Sequence, residues 1–441
     1  TEPALATLEK MDKTLVVARI EGETITVADL IEALKTSPDQ IKALPLSKVY
    51  TGLVKRLRDM RALVKAAEKA GLDKDAAIQK KIKERPISYA SHIDSHIYSY
   101  YAELLSNVYE KALHELQLKD SVLAFRSLGK SNIDFANTAF EKIKAHGDCT
   151  AIAMDISGFF DNLDHVILKS MWCKLLQENS LPDDHFNIYC SLTKSSTVNR
   201  DLLYAALKIS RNNPKSTGAR LCDIKTFRDK IRGLGLIKTN STGRGIPQGT
   251  SISALLSNIY MLDFDKKIKD MVVSISGEYY RYCDDMLFII DSDKTSELKS
   301  IVTQSISELK IEINDKKTEV RNFHVYSGVQ KCDKPLQYLG FIFDGERKLI
   351  RSAALARFSG RMKAGVRLAK KTHQKANLIE EKNGVAKTPL FKKKIYERYS
   401  HLSKRNFITY GHKAANIMGS NAIKKQLKPL WGRLLKEINE Q

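Results

Sequence analysis

Apolar and polar positions repeat with two different periods along the chain, and together these periods predict helices and strands in one protein. Near the amino terminus, Leu15 to Ile20 and Glu23 to Val27 predict a strand pair around a Glu-Gly turn, followed by helical patterns. Tyr89 to Leu116 has the period of a long, tyrosine-rich helix. Beyond it, helices alternate with short apolar strands without an internal repeat, so we expect an α+β protein.

One apolar strand pattern carries an aspartate at its end. Thr150 to Ile156 (TAIAMDI) predicts a buried strand that delivers Asp155 to its carboxyl end, Ser157-Gly158 turns the chain, and Asp161 to Glu178 continues as a helix. A carboxylate at a strand end can face a cleft, whereas an isolated aspartate at such a place usually caps the next helix. This segment alone favours the helix cap.

A glycine-containing loop precedes the next amphipathic helix. In Arg244 to Met261 (RGIPQGTSISALLSNIYM), the glycines permit close approach of another group to the backbone, and Gln248 offers both a donor and an acceptor. The loop suits a nucleotide base and sugar lying against the backbone. It is equally compatible with a simple helix entry turn.

A third segment places two carboxylates next to each other. Glu278 to Ile290 (EYYRYCDDMLFII) predicts a hairpin with Asp284 and Asp285 at its tip, where the like charges repel unless cations hold them. Together with Asp155 they would form an all-oxygen site suited to Mg²⁺. Two such ions about 4 Å apart can activate the attacking oxygen and stabilise the leaving oxygen of a phosphoryl transfer.

Several motifs resemble those of one enzyme superfamily. DISGFFDNLDH, GIPQGTSISALLSNIY and YCDD, in this order, resemble the palm motifs of reverse transcriptases, and LQYLGFIF at Leu336 to Phe343 resembles their primer-grip hairpin. The resemblance runs from about Arg85 to Phe343 and lies within the prokaryotic group II intron and retron lineage. FRSLGKSNIDFA and SHIDSHIYSYY are most similar to bacterial antiphage defence-associated reverse transcriptases.

The resemblance implies a right-hand polymerase with fingers, palm and a helical thumb. A helical extension precedes it. In VARIEGETITVADLIEAL and AAEKAGLDKDAAIQKKI this extension resembles the N-terminal segment of parvulin-type peptidyl-prolyl isomerases, but no isomerase domain follows, so it is either native or derived from a fusion. The implied boundaries are 1–83 for the extension, 84–147 and 191–244 for the fingers, 148–190 and 245–345 for the palm, and 346–441 for the thumb.

The resemblance also implies residue roles at the metal and primer sites. Asp155, Asp284 and Asp285 are expected to be the catalytic carboxylates that hold two Mg²⁺ ions, with the Ile156 carbonyl as an additional ligand. The primer grip is expected to comprise Tyr338, Leu339, Gly340 and Phe341.

A further set of residues is implied to meet the incoming nucleotide. Arg126 and Lys130 fall where finger residues contact the triphosphate, and Gln248 falls on the nucleotide-contacting glutamine. Phe160 falls at the steric-gate position; without the motif it would be assigned to the core. Lys317 lies near the lysine expected to protonate pyrophosphate, and it is equally compatible with a solvated lysine after a helix.

The carboxyl-terminal part of the chain is strongly basic. The chain has 73 Lys and Arg against 51 Asp and Glu, a formal net charge of +22. Residues 347–441 hold 24 of these cations against five glutamates, a net charge of +19, which is expected of a nucleic-acid groove. The alternative is a solvated helical face. The predicted contacts to the nucleic-acid backbone are Lys392, Lys393, Lys394, Lys424 and Lys425.

Other features narrow the class of protein. The six cysteines are far apart and lack zinc-ligand spacing, and no secretion signal or membrane-spanning run is recognisable. We therefore expect a cytoplasmic protein without membrane contact. The residues after the primer grip leave no room for a recognisable RNase H domain, so another enzyme would remove the copied RNA, or it is retained.

These observations predict an RNA-directed DNA polymerase that uses dNTPs and makes DNA. The antiphage resemblance implies a structured noncoding RNA as template in phage defence, while protein partners cannot be named. Two alternatives stay open. An RNA-dependent RNA polymerase would share the carboxylates, although a bulky Phe160 should collide with a ribose 2′-hydroxyl. A catalytically silent RNA-binding scaffold would keep the basic thumb but would not need three carboxylates.

Overall fold

The computed structural model describes residues 4–9, 11–12, 15–20, 23–35, 44–47, 49–52, 54, 87–210 and 221–440. The chain divides into two compact units, residues 1–86 and residues 87–441. The domain boundaries inferred from sequence remain predictions. No helix in the described parts of the chain is both long and apolar enough to cross a membrane.

The first unit is a small helix and strand structure with its own core. Its elements are α1 Ala4–Glu9, β1 Val16–Ile20, β2 Glu23–Thr26 and α2 Val27–Lys35. Strands β1 and β2 pair antiparallel, which confirms the predicted strand pair. Apolar side chains of α1, β2 and α2, including Leu8, Ile25 and Leu30, are buried together.

The second unit is mixed, and the predicted α+β class is confirmed. Its helices before the last strand are α3 His92–Glu115, α4 Asn132–His146, α5 Phe159–Asn162, α6 His165–Leu176, α7 Asp183–Thr193, α8 Arg200–Ala206, α9 Ile224–Thr226, α10 Ser251–Tyr260, α11 Leu262–Ser274 and α12 Thr295–Glu308. Phe227–Arg232 forms a π-helix, and Ser292–Lys294 and Asp315–Lys317 form 3₁₀ turns. The helices after the last strand are α13 Ser352–Lys382, α14 Lys393–Tyr399, α15 Phe407–Ile417 and α16 Asn421–Asn439.

The strands described in this unit form three antiparallel sheets. They are β3 Cys149–Asp155, β4 Ser196–Val198, β5 Ile237–Thr239, β6 Glu278–Tyr282, β7 Asp285–Ile290, β8 Glu319–Tyr326, β9 Val329–Cys332, β10 Leu336–Tyr338, β11 Phe341–Phe343 and β12 Lys348–Ile350. The largest sheet has the order β6-β7-β3-β8-β9, the second has the order β10-β11-β12, and β4 pairs with β5 in a ribbon.

The central strand β3 is mostly buried because both faces of the sheet are covered. Ile152 and Met154 pack into one hydrophobic cluster with helices α3, α6 and α10. Cys149 and Ala151, which alternate with them, pack into a second cluster with α4 and the three-stranded sheet. Successive side chains of a strand point to opposite faces, so continuous burial requires cover on both sides.

Local sequence explains where the long helix α3 begins and how it packs. The Ser91 side chain caps its first turn by accepting a hydrogen bond from the Asp94 amide. Leu105, Tyr109 and Leu113 are buried four residues apart and therefore lie on one face. The helix predicted over Tyr89 to Leu116 is confirmed.

The carboxyl-terminal helices build a further core of their own. Met362 and Val366 of α13 pack with Ile395 of α14 and with Leu434 and Ile438 of α16. The helical character predicted for this basic region is confirmed, because α13 to α16 follow the last strand.

Candidate active site

Asp155 and Asp285 face each other across neighbouring strands. Asp155 ends β3, Asp285 begins β7, and their Cα atoms are register partners in the antiparallel pair. Directly opposite residues carry their side chains on the same face of the sheet. The Ile156 amide donates to the Asp284 carbonyl at 3.1 Å, which places Asp284 next to this pair. The sheet thus brings the three predicted aspartates to one end.

The turn between β6 and β7 has a strained backbone. Cys283 is buried and has a φ of 61°, in the left-handed region that non-glycine residues rarely occupy. Such strain persists where surrounding contacts fix it, and it concentrates at functional sites. Burial also raises the pKa of the Cys283 thiol, so this side chain is an unreactive neighbour of the aspartates.

Lys317 forms an ion pair with the first aspartate. Its Nζ lies 2.5 Å from Asp155 Oδ2, and both side chains are only partly exposed. The 3₁₀ turn that carries Lys317 is tied to β3 because the Asn314 amide donates to the Asp155 carbonyl at 2.7 Å. The structure therefore places Lys317 at the site, while its role as a proton donor remains a prediction.

The donor set at this end of the sheet suits a hard divalent cation. Carboxylates of Asp155, Asp284 and Asp285 and the Ile156 carbonyl are all oxygen donors. In the described part of the chain, however, no three Asp, Glu, His or Cys side chains are arranged as a formed metal site. These oxygen donors are of the kind that such a cation takes, and the Asp155 carboxylate is paired with Lys317.

Gly245 is required by packing inside the protein. Its φ is 81°, and a Cβ on it would lie 2.7 Å from the Asp161 carbonyl oxygen. The neighbouring Ile246 amide donates to the Phe160 carbonyl at 2.9 Å. The loop is thereby held against α5.

Gly249 is constrained in the same way. A Cβ on it would lie 2.6 Å from the Ser88 carbonyl oxygen, and the Ser88 amide donates to the Gln248 carbonyl at 2.8 Å. At both glycines, the protein's own backbone therefore makes the close approach that was expected of a nucleotide. The Gln248 side chain, which is partly exposed, remains the predicted nucleotide contact of this loop.

Phe159 and Phe160 divide between core and surface. Phe159 is buried, whereas Phe160 is partly exposed and packs edge-on against Phe125 with ring centroids 6.5 Å apart. This placement leaves an accessible part of the Phe160 ring, as a steric gate requires. Its role as a steric gate remains a prediction.

Arg126 is hydrogen-bonded within the protein. Its side chain is 3% exposed, and Nε and Nη2 donate to Glu110 at 2.8 and 2.7 Å. Its Nη1 donates to the carbonyls of Lys119 and Val122. The guanidinium therefore braces the segment from Lys119 to Arg126 against α3, and its contact with a triphosphate remains a prediction. Lys130 is exposed and remains a candidate.

The predicted primer grip is a tight hairpin whose flanks are core residues. Leu339 and Gly340 connect β10 to β11 with φ of 46° and 91°, as a two-residue hairpin turn of the primed type requires. Tyr338 and Phe341 are buried on either side. Burial, with a smaller contribution from the negative charge of Asp285, raises the pKa of Tyr338. Of the four predicted residues, Leu339 and Gly340 are therefore the accessible ones.

The same hairpin turn is anchored from two sides. Asn132 Nδ2 donates to the Leu339 carbonyl at 3.1 Å, and the Arg351 amide donates to the Gly340 carbonyl at 3.1 Å. The turn is therefore held between the start of α4 and the start of α13.

The predicted backbone-contacting lysines are all at the surface. None of the five has a carboxylate within ion-pair distance among the residues that the structure describes; they are Lys392, Lys393, Lys394, Lys424 and Lys425. Three glutamates of this region pair with other cations among the described residues: Glu381 with Lys387, Glu437 with Arg367 and Glu440 with Lys436. These five charges are thus available to an external anion.

Sequence analysis missed a buried polar group behind the aspartate turn. Arg281 and Asp265 pair in the interior, and Asn258 contacts the same arginine. The signal in the sequence was a lone arginine inside the apolar run of β6. A buried strand accommodates an arginine only when an opposite charge pairs with it.

Comparisons with known proteins agree with this geometry. The protein family described as "Reverse transcriptase (RNA-dependent DNA polymerase)" matches residues 74–343. No curated protein sequence matches the chain.

Solved structures to which the chain is similar include structures of two telomerases. Apo telomerase from Candida tropicalis is 13% identical with a TM-score of 0.38, covering 79% of this chain and 52% of that one. A version truncated from the C-terminal domain is 15% identical with a TM-score of 0.36, covering 55% and 44%. Telomerase from Candida albicans in complex with the TWJ fragment of telomeric RNA is 11% identical with a TM-score of 0.35, covering 78% and 54%. The chain spans about half the length of these telomerases.

Proposed function

The chain belongs to the reverse transcriptase (RNA-dependent DNA polymerase) family and has its right-hand polymerase fold, and from this premise we propose that it is an RNA-directed DNA polymerase. It transfers dNMP from a dNTP to a primer 3′-hydroxyl and releases pyrophosphate. The observation that carries the proposal is the register pairing of Asp155 with Asp285, which sets the motif aspartates at one sheet end. The family implies a dependence on divalent metal in general.

Asp155, Asp284 and Asp285 would hold two Mg²⁺ ions. When bound, such ions activate the attacking oxygen and stabilise the leaving one. Lys317, whose Nζ lies 2.5 Å from Asp155 Oδ2, would give a proton to the departing pyrophosphate oxygen. Phe160 would exclude a ribose 2′-hydroxyl, and Gln248 and Lys130 would contact the nucleotide.

The basic thumb supports nucleic acid as the partner, and the finer role rests on sequence resemblance. We assign a structured noncoding RNA as the template and phage defence as the biological role, because FRSLGKSNIDFA and SHIDSHIYSYY are most similar to antiphage reverse transcriptases. We also propose that the hairpin of Tyr338 to Phe341 is the primer grip and that the protein is cytoplasmic. The first unit is proposed to be related to the N-terminal segment of parvulin-type isomerases.

Incorporation of labelled nucleotides tests the proposed activity against its alternatives. The purified protein is given an RNA template with a DNA primer, Mg²⁺, and either dNTPs or NTPs, with Asp284→Asn protein as the matched control. We expect dNTP incorporation that depends on Mg²⁺ and is lost in the variant. Preferred use of NTPs would indicate an RNA polymerase. Failure with both, together with retained RNA binding, would indicate a scaffold.

Sequencing the nucleic acid that copurifies with the protein tests the template assignment. We expect one structured RNA and DNA complementary to it. A mixture of unrelated cellular RNAs would contradict a dedicated template while leaving the polymerase activity unaffected.

A further inference from the structure

The interior behind the aspartate turn contains a fully buried ion pair. The side chains of Arg281, in β6, and Asp265, in α11, are both 0% exposed. The contact is bidentate, with Nε to Oδ1 at 2.7 Å and Nη2 to Oδ2 at 2.5 Å. The hydroxyl of Tyr279 also donates to Asp265 Oδ1 at 2.7 Å. The Asp265 carboxylate is thus paired with a positive charge, and both of its oxygens accept hydrogen bonds.

The remaining guanidinium nitrogen reaches the strained turn. Nη1 of Arg281 donates to the Cys283 carbonyl at 3.2 Å and to Asn258 Oδ1 at 3.0 Å. Cys283 is the residue with φ of 61° directly before Asp284. One side chain therefore touches both the turn that carries the aspartates and helix α10, which follows the glycine loop.

The same group extends to the finger segment. Asn258 Nδ2 donates to the Ala124 carbonyl at 2.9 Å. The backbone of Arg281 bonds the segment as well, because its amide donates to the Ser121 carbonyl at 2.8 Å and its carbonyl accepts from the Leu123 amide at 2.9 Å. Three segments of the site, far apart in sequence, thus meet at one buried arginine.

Stability alone does not account for this arrangement. A buried ion pair often contributes no more to folding than an apolar pair of similar volume, because desolvation offsets the attraction. What an arginine offers is a rigid fork of five N–H donors that fixes several acceptors relative to one another. A lysine has three donors on a flexible stem and cannot bind both Asp265 oxygens and the Cys283 carbonyl in this geometry.

We propose that Arg281 is a positioning residue that holds the Cys283 turn, and with it Asp284 and Asp285, in the register that faces Asp155. It touches no substrate. It acts through the Cys283 carbonyl, and through Asn258 it couples this turn to the helix behind the glycine loop. This inference rests on the proposed polymerase function and deepens it.

Two variants test the proposal while keeping the fold. Arg281→Lys retains a charge opposite Asp265. The triple variant Asp265→Leu, Tyr279→Phe, Arg281→Met removes both charges and the hydroxyl that would lose its acceptor. Lys348→Met is the matched control, because Lys348 is a buried cation that ties β12 to Glu141 of α4, away from the turn.

The readouts are amide hydrogen exchange of the peptide spanning Tyr282 to Met286 and single-nucleotide incorporation, at a temperature where all variants are folded by circular dichroism. In both Arg281 variants we expect at least about tenfold faster exchange at the turn. We also expect kcat to fall at least about tenfold, with the KM for dNTP changed less than about threefold. Lys348→Met should leave both unchanged at that temperature.

Wild-type exchange at the turn in either folded Arg281 variant would overturn the positioning role, as would faster exchange with an unchanged kcat. If the wild-type protein incorporates no nucleotide, the proposed function fails, and the exchange measurement still decides whether Arg281 holds the turn.

Discussion

Lys317 and Asp155 form a 2.5 Å ion pair although 162 positions separate them in the chain. The contact exists because β3 runs antiparallel to β8, and the segment that leads into β8 is bonded to the end of β3. A cation is thereby fixed beside the carboxylate that the motifs assign to catalysis. A solvated lysine after a helix would have no such fixed partner.

Replacing Lys317 with Met should lower the rate of nucleotide incorporation by about 10²-fold, because general acids contribute about 10² to 10⁴-fold when they protonate a leaving group. Rapid-quench measurement of a single incorporation checks this. Lys316→Met, one position away in the same turn, is the control. An unchanged chemical rate in Lys317→Met protein would return Lys317 to the role of a surface ion-pair partner.

Asp155→Asn and Asp284→Asn should each abolish primer extension while leaving folding and RNA binding intact. Each removes a charge from a partly exposed carboxylate and hardly any packing, so we expect the free energy of unfolding to change by less than about 1 kcal/mol. Primer extension, thermal unfolding and RNA binding are measured side by side. Asp270→Asn removes an exposed carboxylate paired with Lys266 and should stay active. Near-normal primer extension by Asp284→Asn protein would contradict the assignment of Asp284 as a metal ligand.

Sequence patterns identified the aspartates because local rules determine where they lie. An apolar run bounded by a turn predicts a buried strand whose last residue lies at the end of a sheet. The order of the motifs then indicated that the segments carrying Asp155, Asp284 and Asp285 belong to one site. The register of Asp155 with Asp285 depends on which strands become neighbours, and that is decided by packing over long sequence distances.

Two arginines have ion-pair partners that the sequence patterns did not reveal. Arg126 and Arg281 look in the sequence like cations available to a ligand or like isolated charges, and each pairs with a carboxylate 16 positions earlier, on another segment of the fold. Glycines of the loop were predicted to approach a nucleotide, and Gly245 approaches Asp161 instead. Sequence reveals that a glycine is needed, but tertiary structure decides what approaches it.

Phe160→Val should increase the use of NTPs relative to dNTPs, because a smaller side chain leaves room beside the sugar 2′ position. The carboxylates are untouched, so dNTP incorporation should persist. The ratio of kcat/KM for NTP to that for dNTP measures the effect, and Phe159→Leu, a change at the buried neighbour, is the control. If the ratio is unchanged in an active Phe160→Val protein, the ring is a packing residue.

Gly245→Ala should destabilise the protein more than Gly243→Ala. Both glycines have positive φ, which costs an alanine about 1 to 2 kcal/mol. Only at position 245 would the new Cβ also meet the Asp161 carbonyl oxygen at 2.7 Å, whereas nothing lies within 4 Å at position 243. Denaturant unfolding of the two variants compares them directly. Equal losses of stability would show that the loop does not need close packing on α5.

The exposed lysines Lys392, Lys393 and Lys394 should bind phosphates of the nucleic-acid backbone without reading its bases, since an ammonium group acts as a point charge. Changing all three to Gln should weaken binding of unrelated RNAs alike. It should also reduce the slope of log K against log salt by about 2, at roughly 0.7 per phosphate on a single strand.

The matched control for this last experiment removes the same charge elsewhere. Lys266, Lys267 and Lys269 lie on α11, and the first two are paired with Asp270 and Glu308. Their change to Gln lowers the net charge equally, so a purely global electrostatic effect would reduce RNA affinity to the same extent in both triple variants. A groove contact would reduce it only in the thumb variant. If RNA affinity and its salt slope were the same for both variants, Lys392 to Lys394 would form a solvated helical face, and other thumb cations would have to line the groove.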